Sequence, residues 1–209
     1  MISIVYGNDG TRDRELLESM FRLRHAVFID RLGWDLPCEP GRESDQFDRE
    51  EAVYIIIRNP WSGEAVASCR LLPTTSPNLL CDLFPFLEAN GTPPRDPRIW
   101  EASRLAVDHR REKLSGCGNV CGTLLSGIME FALRAGLTHL VSVSDIRVER
   151  ILRASGWQLT RLGEPHHMEG FAVMGEITEV SATALARIRR RCGVARMVVP
   201  VGEDTRRVA

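Results

Sequence analysis

Apolar residues recur along the chain with two different spacings, which predict strands in some segments and helices in others. Residues 2–6 alternate weakly and predict a short strand. Residues 53–57 and 65–72 are rich in apolar and β-branched side chains, and the turn sequence at 59–63 joins them into a predicted hairpin. Because both runs are apolar on both faces, we expect them inside a sheet. Further strands are predicted at 98–107, 140–143, 157–162 and 170–177.

In other segments the apolar residues recur every three or four positions, which predicts helices. The first helix begins with Thr11 as its N-cap and ends near 29–32, before Gly33. Gly136 and Gly156 are expected to end the second and third helices, because glycine accepts the left-handed conformation found there. The later helices are predicted at 118–135, at 147–154, and from Ser181 or Thr183 onward. Strands interleaved with helices predict a single α/β domain, a three-layer α/β/α sandwich around a mixed sheet.

In two segments the apolar residues follow neither the helical nor the strand spacing. Residues 34–51 contain two prolines, a glycine and several acidic residues, and irregular loops of this length are usually functional or disordered. Residues 73–97 are mostly irregular, with a short helical stretch at 79–87. Residues 202–209 are expected to form a flexible tail.

Composition narrows the class of protein. The 209 residues are 44% hydrophobic and 26% charged, as in ordinary globular proteins, and their net charge of -1 argues against a nucleic-acid-binding surface. No apolar run approaches the roughly 20 residues that span a bilayer, and no basic segment followed by an apolar stretch opens the chain. We therefore expect a cytoplasmic protein that does not bind membranes. The six cysteines form no zinc-binding pattern, so no metal site is expected.

Polar residues inside a predicted buried strand are the first candidates for chemistry. Glu101, Ser103 and Arg104 lie within the apolar run at 98–107. Strand alternation places Glu101 and Ser103 on one face, with Arg104 on the other face or rotated by a β-bulge. Charged residues are rarely buried unless paired. Either Glu101 forms a structural ion pair with Arg70 or Arg104, or it has a catalytic role.

A second group of candidates lies upstream. Arg24 and Phe28 are four residues apart and share one face of the first helix. Trp34 follows, and Asp45 and Asp48 lie in the acidic loop. A solvated loop with an incidental aromatic residue would also explain this group taken alone.

Taken in order, these positions resemble the acyl-homoserine-lactone synthases, the autoinducer synthases of bacterial quorum sensing. The strings 24–28 and 101–104 are similar to the two most recognisable strings of that family, and the similarity runs from about 16 to 143 and more loosely through 150–157. The ordered set is Arg24, Phe28, Trp34, Asp45, Asp48, Arg70, Phe84, Glu101, Ser103 and Arg104.

The resemblance implies a reaction and a fold. An acyl group passes from a thioester to the α-amine of S-adenosylmethionine, and lactone formation then releases methylthioadenosine. The acyl donor is either an acyl carrier protein or acyl-coenzyme A, and no further cofactor is implied. The segment 43–48 is similar to members that use coenzyme A thioesters with short, branched or aryl chains. The fold implied is similar to that of the GCN5-related N-acetyltransferases.

The resemblance also implies roles for the residues. Glu101 is expected to be the general base, with Ser103 and Arg104 beside the reacting atoms. Phe28 and Trp34 offer aromatic faces to the sulfonium or the adenine, and Arg24 or Arg104 pairs with the carboxylate. Asp45 is expected to hold Arg24 and Arg70 in place, whereas Asp48 either does the same or touches ligand. Arg70 and Phe84 complete the binding set, and residues 1–51 are expected to close over the substrate.

The acyl end of the site is predicted from position. Between the sheet and the helices after residue 118, the acyl pocket would be lined by Leu125, Met129, Val143, Ile151 and Trp157, each of which could equally be a core residue. Serine and valine at 141–144, where 3-oxo members often have threonine, favour an unsubstituted chain. The phosphopantetheine arm is expected at a strand-to-helix loop that could instead be a plain basic turn: Arg110, Arg111, Gly116 and Gly118.

Two other functions remain open at this point. An ordinary acetyl-coenzyme A-dependent N-acetyltransferase would have the same fold, and a non-catalytic ligand-binding domain could keep it. The acetyltransferase does not explain why Trp34, Asp45 and Asp48 accompany Glu101. Release of methylthioadenosine from S-adenosylmethionine distinguishes the synthase from both.

Overall fold

The computed structural model describes residues 1–8, 13–108, 119–168, 170–195 and 198–199. The strands are β1 (Ile2–Tyr6), β2 (Val53–Arg58), β3 (Ala65–Pro73), β4 (Ile99–Val107), β5 (His139–Asp145), β6 (Thr160–Arg161), β7 (His166–Met168) and β8 (Phe171–Glu179). The helices are α1 (Arg14–His25), a π-helix (Ala26–Arg31), α2 (Leu79–Asp82), a 3-10 turn (Pro85–Leu87), α3 (Val120–Arg134), α4 (Ile146–Ala154) and α5 (Ala182–Cys192).

All eight strands belong to one mixed sheet, as the sequence predicts. The strand order is β1-β2-β3-β4-β5-β8-β6, and β7 also pairs with β8. The first four strands pair antiparallel, as do β5, β8, β6 and β7. A parallel pairing between β4 and β5 joins the two halves.

Helices cover both faces of this sheet, which confirms the predicted layers. On one face α1 packs over a core that includes Met20, Leu23 and Ile56, here called the α1-side core. On the other face α3 and α5 pack over a larger core that includes Trp100, Leu125 and Ile188, here called the α3-side core. A third cluster of Leu80, Leu87, Val141 and Val173 is here called the Leu80 cluster.

The parallel pairing between β4 and β5 is short. It covers only Ile99–Glu101 and His139–Val141, although both strands continue for several residues. Beyond this point β4 stays paired with β3, and β5 stays paired with β8. The two halves of the sheet therefore separate just after Glu101 and Val141, and the facing edges of the two strands are left outside the ladder.

The predicted elements are confirmed with a few differences. Helix α1 begins at Arg14 with Asp13 as its N-cap position, and the predicted cap Thr11 lies outside the described residues. The predicted strand at 157–162 is wrong in extent, because Thr160–Arg161 alone pairs with β8. The short exposed strand β7, which contains His166 and His167, lies outside every strand that the sequence predicts. No helix in the described segments has the length and apolar character needed to cross a bilayer.

Candidate active site

A β-bulge in β4 sets the geometry of the candidate site. Ser68 pairs with Ala106 and Arg70 pairs with Ser103, so Cys69 faces two residues of β4. One of these is Arg104, whose φ of 53° lies in the left-handed region that only a few non-glycine residues adopt. Of the two alternatives for Arg104, the β-bulge is therefore the one found.

The bulge brings Arg104 to the same face of the sheet as Glu101 and Ser103. Regular alternation would point Arg104 towards the α3-side core, where its neighbours Ala102 and Leu105 pack. Instead, its guanidinium forms salt bridges on the α1 side. Three polar side chains of one short segment thus share one face.

Six ionised side chains meet on this face and are here called the ion-pair cluster: Arg24, Arg70, Arg104, Glu43, Asp45 and Asp48. The three arginines and three carboxylates have no net charge. Arg24 and Arg70 have fully buried side chains, so their carboxylate partners are needed to offset the cost of burying a charge. The cluster ties α1, β3, β4 and the acidic loop together.

Asp45 and Asp48 both serve this cluster. Arg70 Nη1 lies 2.5 Å from Asp45 Oδ1 and 3.0 Å from Asp48 Oδ1. Asp45 Oδ2 also lies 2.7 Å from Arg104 Nη2, and Asp48 Oδ1 lies 2.7 Å from Arg24 Nη1. Asp45 therefore holds Arg70 and Arg104, whereas the sequence paired it with Arg70 and Arg24. Asp48 takes Arg24.

Burial and neighbouring charge act in opposite directions on Asp48. Burial alone would raise its pKa, but the charges of Arg24 and Arg70, with hydrogen bonds from Arg24 and from the backbone N–H of Asp45, lower the pKa to about 2. Asp48 is consequently ionised throughout the neutral range and acts as a fixed anion.

Two members of this site were missed by the sequence analysis. Glu43 bridges two arginines, with Oε2 2.5 Å from Arg24 Nε and Oε1 3.1 Å from Arg104 Nε. Tyr54 donates its hydroxyl to Asp48 Oδ1 at 3.0 Å. Glu43 has no distinguishing local signal, because it lies among several acidic residues of an irregular loop. Tyr54 does have a local signal, because it lies in a predicted buried strand and a buried tyrosine hydroxyl usually has a polar partner.

The acidic loop is held in place by the chain itself. Glu43, Asp45 and Asp48 reach arginines on α1, β3 and β4, and Phe47 between them is buried in the α1-side core. The segment 43–48 is therefore anchored by contacts within the chain. The stretch at 31–35 is exposed, so closure over substrate remains a prediction for that part.

Phe28 and Trp34 stack on each other next to the cluster. Their ring centroids are 4.9 Å apart and their planes differ by 13°. The guanidinium of Arg104 lies 5.8 Å from the centroid of Phe28. The backbone N–H of Trp34 donates to Phe28 O at 2.9 Å, because the chain turns back after the π-helix at Gly33, with φ of 67°. Phe28 is buried, whereas Trp34 is 41% exposed.

Glu101 lies at the end of the β4–β5 pairing, and its side chain is completely buried. Its Oε2 accepts a 2.7 Å hydrogen bond from the backbone N–H of Leu80 in α2. Its Oε1 has no hydrogen-bond partner among the described residues. Burial raises the pKa of Glu101, and the N–H of Leu80 offsets part of that effect. A carboxylate of this kind is a stronger base than an exposed glutamate.

The alternative that Glu101 is half of a structural ion pair is wrong. Arg70 forms salt bridges with Asp45 and Asp48. Its Nε also donates to Ser103 Oγ at 3.2 Å. Arg104 forms its salt bridges with Glu43 and Asp45. Glu101 forms no salt bridge within the part of the chain described here.

The predicted acyl-pocket residues do not lie together. Leu125, Met129 and Trp157 belong to the α3-side core, as predicted. Val143 packs on the Leu80 cluster, on the opposite face, because alternation along β5 points Val141 and Val143 away from α3. Ile151 is 50% exposed on α4. Val143 and Ile151 therefore do not pack with these three residues, and a role for them in the acyl pocket stays a prediction.

Phe84 packs against the Leu80 cluster and lies 5.9 Å from Phe86 between ring centroids. It therefore lies near α2, whose Leu80 N–H donates to Glu101. The predicted phosphopantetheine residues Arg110, Arg111, Gly116 and Gly118 lie outside the described residues. No group of three metal-binding side chains occurs in the described segments.

Comparisons with known proteins identify the family. The sequence pattern of the autoinducer synthase family matches residues 8–188. The chain belongs to the autoinducer synthase family. It is 34% identical over 185 residues to an acyl-homoserine-lactone synthase of Acinetobacter nosocomialis, a match that covers 86% of this chain and 100% of the relative.

Solved structures of the family have the same fold. The coenzyme A-dependent acyl-homoserine lactone synthase MesI is 30% identical, with a TM-score of 0.84 over 97% of this chain and 100% of that one. BjaI, a coenzyme A-dependent synthase with S-adenosylmethionine and isopentyl-coenzyme A, is 28% identical, with a TM-score of 0.85 over 100% and 98%. An N-acetyltransferase from Lactobacillus plantarum shares the fold alone, at 15% identity and a TM-score of 0.54.

Proposed function

We propose that this enzyme synthesises an N-acyl-homoserine lactone from S-adenosylmethionine and an acyl-coenzyme A, with Glu101 as the general base. Membership of the autoinducer synthase family supports the reaction. The observation that supports the residue assignment is the buried carboxylate of Glu101, which has one free oxygen at the point where β4 and β5 separate.

The first step is acyl transfer. The α-amine of S-adenosylmethionine has an ordinary pKa near 7.7–8.0, so much of it is protonated at neutral pH. Glu101 Oε1 accepts one proton, directly or through a water molecule, as the nitrogen attacks the thioester carbonyl. Collapse of the tetrahedral intermediate breaks the carbon–sulfur bond, and the leaving sulfur takes the second proton lost by the nitrogen to give the thiol of coenzyme A. Backbone N–H groups on the separated strand edges stabilise the developing oxyanion.

The second step closes the ring. The carboxylate of the methionine moiety attacks its own γ-carbon, and the bond to the sulfonium breaks. The electron pair goes to sulfur, which leaves as neutral methylthioadenosine. This step consumes no proton, so it needs positioning of the carboxylate more than a base.

Arg104 is the arginine best placed to orient that carboxylate. The side chain of Arg24 is fully buried and bound by Glu43 and Asp48, whereas 11% of the Arg104 side chain is exposed. Ser103 lies beside Arg104 and accepts from Arg70, which leaves the Ser103 hydrogen to donate to Glu101 or to substrate. Trp34 presents its exposed ring to the sulfonium or the adenine.

The choice of coenzyme A over acyl carrier protein is supported by the two similar synthase structures, both coenzyme A-dependent. To test the acyl donor, the purified enzyme is supplied with S-adenosylmethionine and either hexanoyl-coenzyme A or hexanoyl-acyl carrier protein. Formation of methylthioadenosine and N-hexanoyl-homoserine lactone is followed by mass spectrometry. Faster turnover of the carrier-protein thioester would contradict the proposed donor.

Glu101→Gln tests the base directly. Glutamine still accepts from the Leu80 N–H but cannot take a proton, so we expect kcat to fall about 10²- to 10⁴-fold with S-adenosylmethionine binding retained. Glu101→Asp keeps the carboxylate and should recover part of the activity. Turnover of Glu101→Gln within a few-fold of the unmodified enzyme would overturn the assignment. Acylated S-adenosylmethionine without methylthioadenosine would instead indicate an ordinary N-acyltransferase.

A further inference from the structure

Glu176 is a second buried acid of the sheet, and the proposed mechanism does not use it. It lies in the middle of β8, is 0% exposed, and pairs in register with Ser142 of β5. Ser144 donates to Glu176 Oε2 at 2.6 Å, and Ser142 donates to the same oxygen at 3.5 Å. Glu176 Oε1 has no hydrogen-bond partner among the described residues.

The surrounding charges do not explain this free oxygen. Glu149, Arg153 and Arg161 are the ionised groups whose charge acts on Glu176. Both arginines bind Glu149, at 2.8 Å from Arg153 Nη2 to Oε1 and 2.7 Å from Arg161 Nη2 to Oε2. Glu176 is thus a buried carboxyl group without a salt bridge in the described segments, although most buried polar groups are satisfied.

The position of Glu176 relates it to the acyl side of the proposed site. Glu176 and its serine partners point to the face that carries Leu140, which packs in the α3-side core together with Trp157. The serines lie on β5 just past Val141, where that strand has separated from β4. An acyl chain that enters the opening between the strands towards α3 would therefore pass these side chains.

We propose that Glu176 recognises a hydroxyl group carried by the acyl chain of the donor thioester. This inference rests on the proposed function and names its substrate class more closely. A hydroxyl group both donates and accepts, so it can pair with the free oxygen whether the carboxyl group is ionised or protonated. An ammonium group would require a second charge to be buried beside Arg153 and Arg161, which disfavours it. The proposal also replaces the unsubstituted chain that the sequence favours.

The test compares matched pairs of coenzyme A thioesters that differ by one hydroxyl group. One series runs from butanoyl to decanoyl against the ω-hydroxy counterparts, and an aryl pair sets phenylpropanoyl against para-hydroxyphenylpropanoyl. We expect at least one hydroxylated member to exceed its partner in kcat/KM by about tenfold or more, because a site built to bind a hydroxyl rejects analogues without it. If every unsubstituted member equals or exceeds its partner, a bound water satisfies Glu176 and the proposal fails.

Variants identify the residue responsible. Glu176→Met has a similar size without polar oxygens and should abolish the preference by raising kcat/KM for the unsubstituted chain. Glu176→Gln keeps the shape and should retain part of the preference if the methionine variant does not fold. The matched control is Glu149→Gln, another buried acid of this region, which should keep the preference. A preference that persists in Glu176→Met would contradict the role of this residue.

The two proposals fail in distinguishable ways. If no thioester yields methylthioadenosine, the proposed function itself is wrong. If unsubstituted thioesters yield it at the highest rates, the synthase assignment stands and the role of Glu176 alone is rejected.

Discussion

Glu43 Oε1 lies 3.1 Å from Arg104 Nε, although the two residues come from a loop and from the interior of a β-sheet. The contact exists because the bulge in β4 turns Arg104 towards the α1 side. The other oxygen of Glu43 binds the fully buried Arg24, so one carboxylate neutralises parts of two guanidinium groups. The same ion pairs therefore connect the acidic loop, α1 and β4.

Removing the charge of Glu43 should destabilise the fold strongly. In Glu43→Gln, buried Arg24 keeps its charge but loses one of its two carboxylate partners. Breaking one partner of a buried pair typically costs about 3–5 kcal/mol, and we expect the lower end because the amide oxygen still accepts a hydrogen bond. Urea unfolding measures the change. The exposed Glu50→Gln is the control, and a loss of under about 1 kcal/mol in Glu43→Gln would contradict the cluster's role.

The strained backbone at Arg104 gives a prediction that is independent of its charge. Arg104→Ala and Arg104→Gly both remove the guanidinium, but only glycine accepts φ of 53° without a Cβ clash. We expect the glycine variant to unfold with a free energy about 1 kcal/mol higher than the alanine variant. At Ser103, in ordinary strand conformation, alanine should be the more stable of the same two. Alanine exceeding glycine at Arg104 as well would show that the bulge relaxes.

Stability should fall in acid because of Asp48. Its pKa is about 2 in the folded protein against an ordinary value of 3.8. A lowered carboxyl pKa stabilises the fold above the ordinary value, and that contribution is lost as the pH falls from about 4 to 2. The loss amounts to about 2 kcal/mol. In Asp48→Asn, unfolding free energies should depend less on pH in this window. The exposed Asp35→Asn should follow the unmodified protein, and parallel curves for all three would refute the assignment.

Glu101 should have the opposite effect on stability. Its pKa is raised by burial, so the folded state binds the proton more tightly than the unfolded state. Stability is therefore greatest below the ordinary glutamate pKa and declines as the pH rises through the raised value. Glu101→Gln removes this decline, so the variant should gain stability relative to the unmodified enzyme between acid and neutral pH. Thermal melts across that range measure it. An identical pH dependence of the two proteins would show that the burial of Glu101 has no such cost.

Binding of S-adenosylmethionine should be visible in the fluorescence of Trp34. The indole is 41% exposed and stacked on Phe28 on one side, which leaves it accessible to a cation or an adenine. We expect a saturable fluorescence change on titration, lost in Trp34→Phe and kept in Trp61→Phe, whose indole is 83% exposed in the β2–β3 turn. A full signal in Trp34→Phe would place the ligand elsewhere.

Local patterns were sufficient for most of the fold. The strand at Val53–Arg58, the helix at Val120–Arg134 and the helix ends at Gly33 and Gly136 follow from periodicity and glycine placement, and the structure confirms them. The strand predicted at 157–162 was too long because apolar alternation there reflects burial of Trp157 and Leu159 in the core, without ladder partners.

The candidate site was less predictable because its contacts join distant parts of the chain. The alternation of β4 placed Glu101 and Ser103 on one face correctly, and the resemblance to a family supplied Asp45 and Asp48. Glu43 bridges residues 19 and 61 positions away, and nothing in its neighbours indicates that it is buried. The bulge at Arg104 depends on register with β3, which a single strand's pattern does not encode.

The three-residue parallel pairing also bears on how the enzyme is assembled. Strands β1–β4 and β5–β8 each come from one continuous stretch of chain, so each half of the sheet is made from contacts within its own stretch. Joining them requires a crossover through α3, and long-range parallel contacts of this kind form slowly. The proposed active site thus lies where the two halves of the sheet meet, and we expect it to form only after both halves have folded and docked. Activity should accordingly appear late as the newly made chain folds.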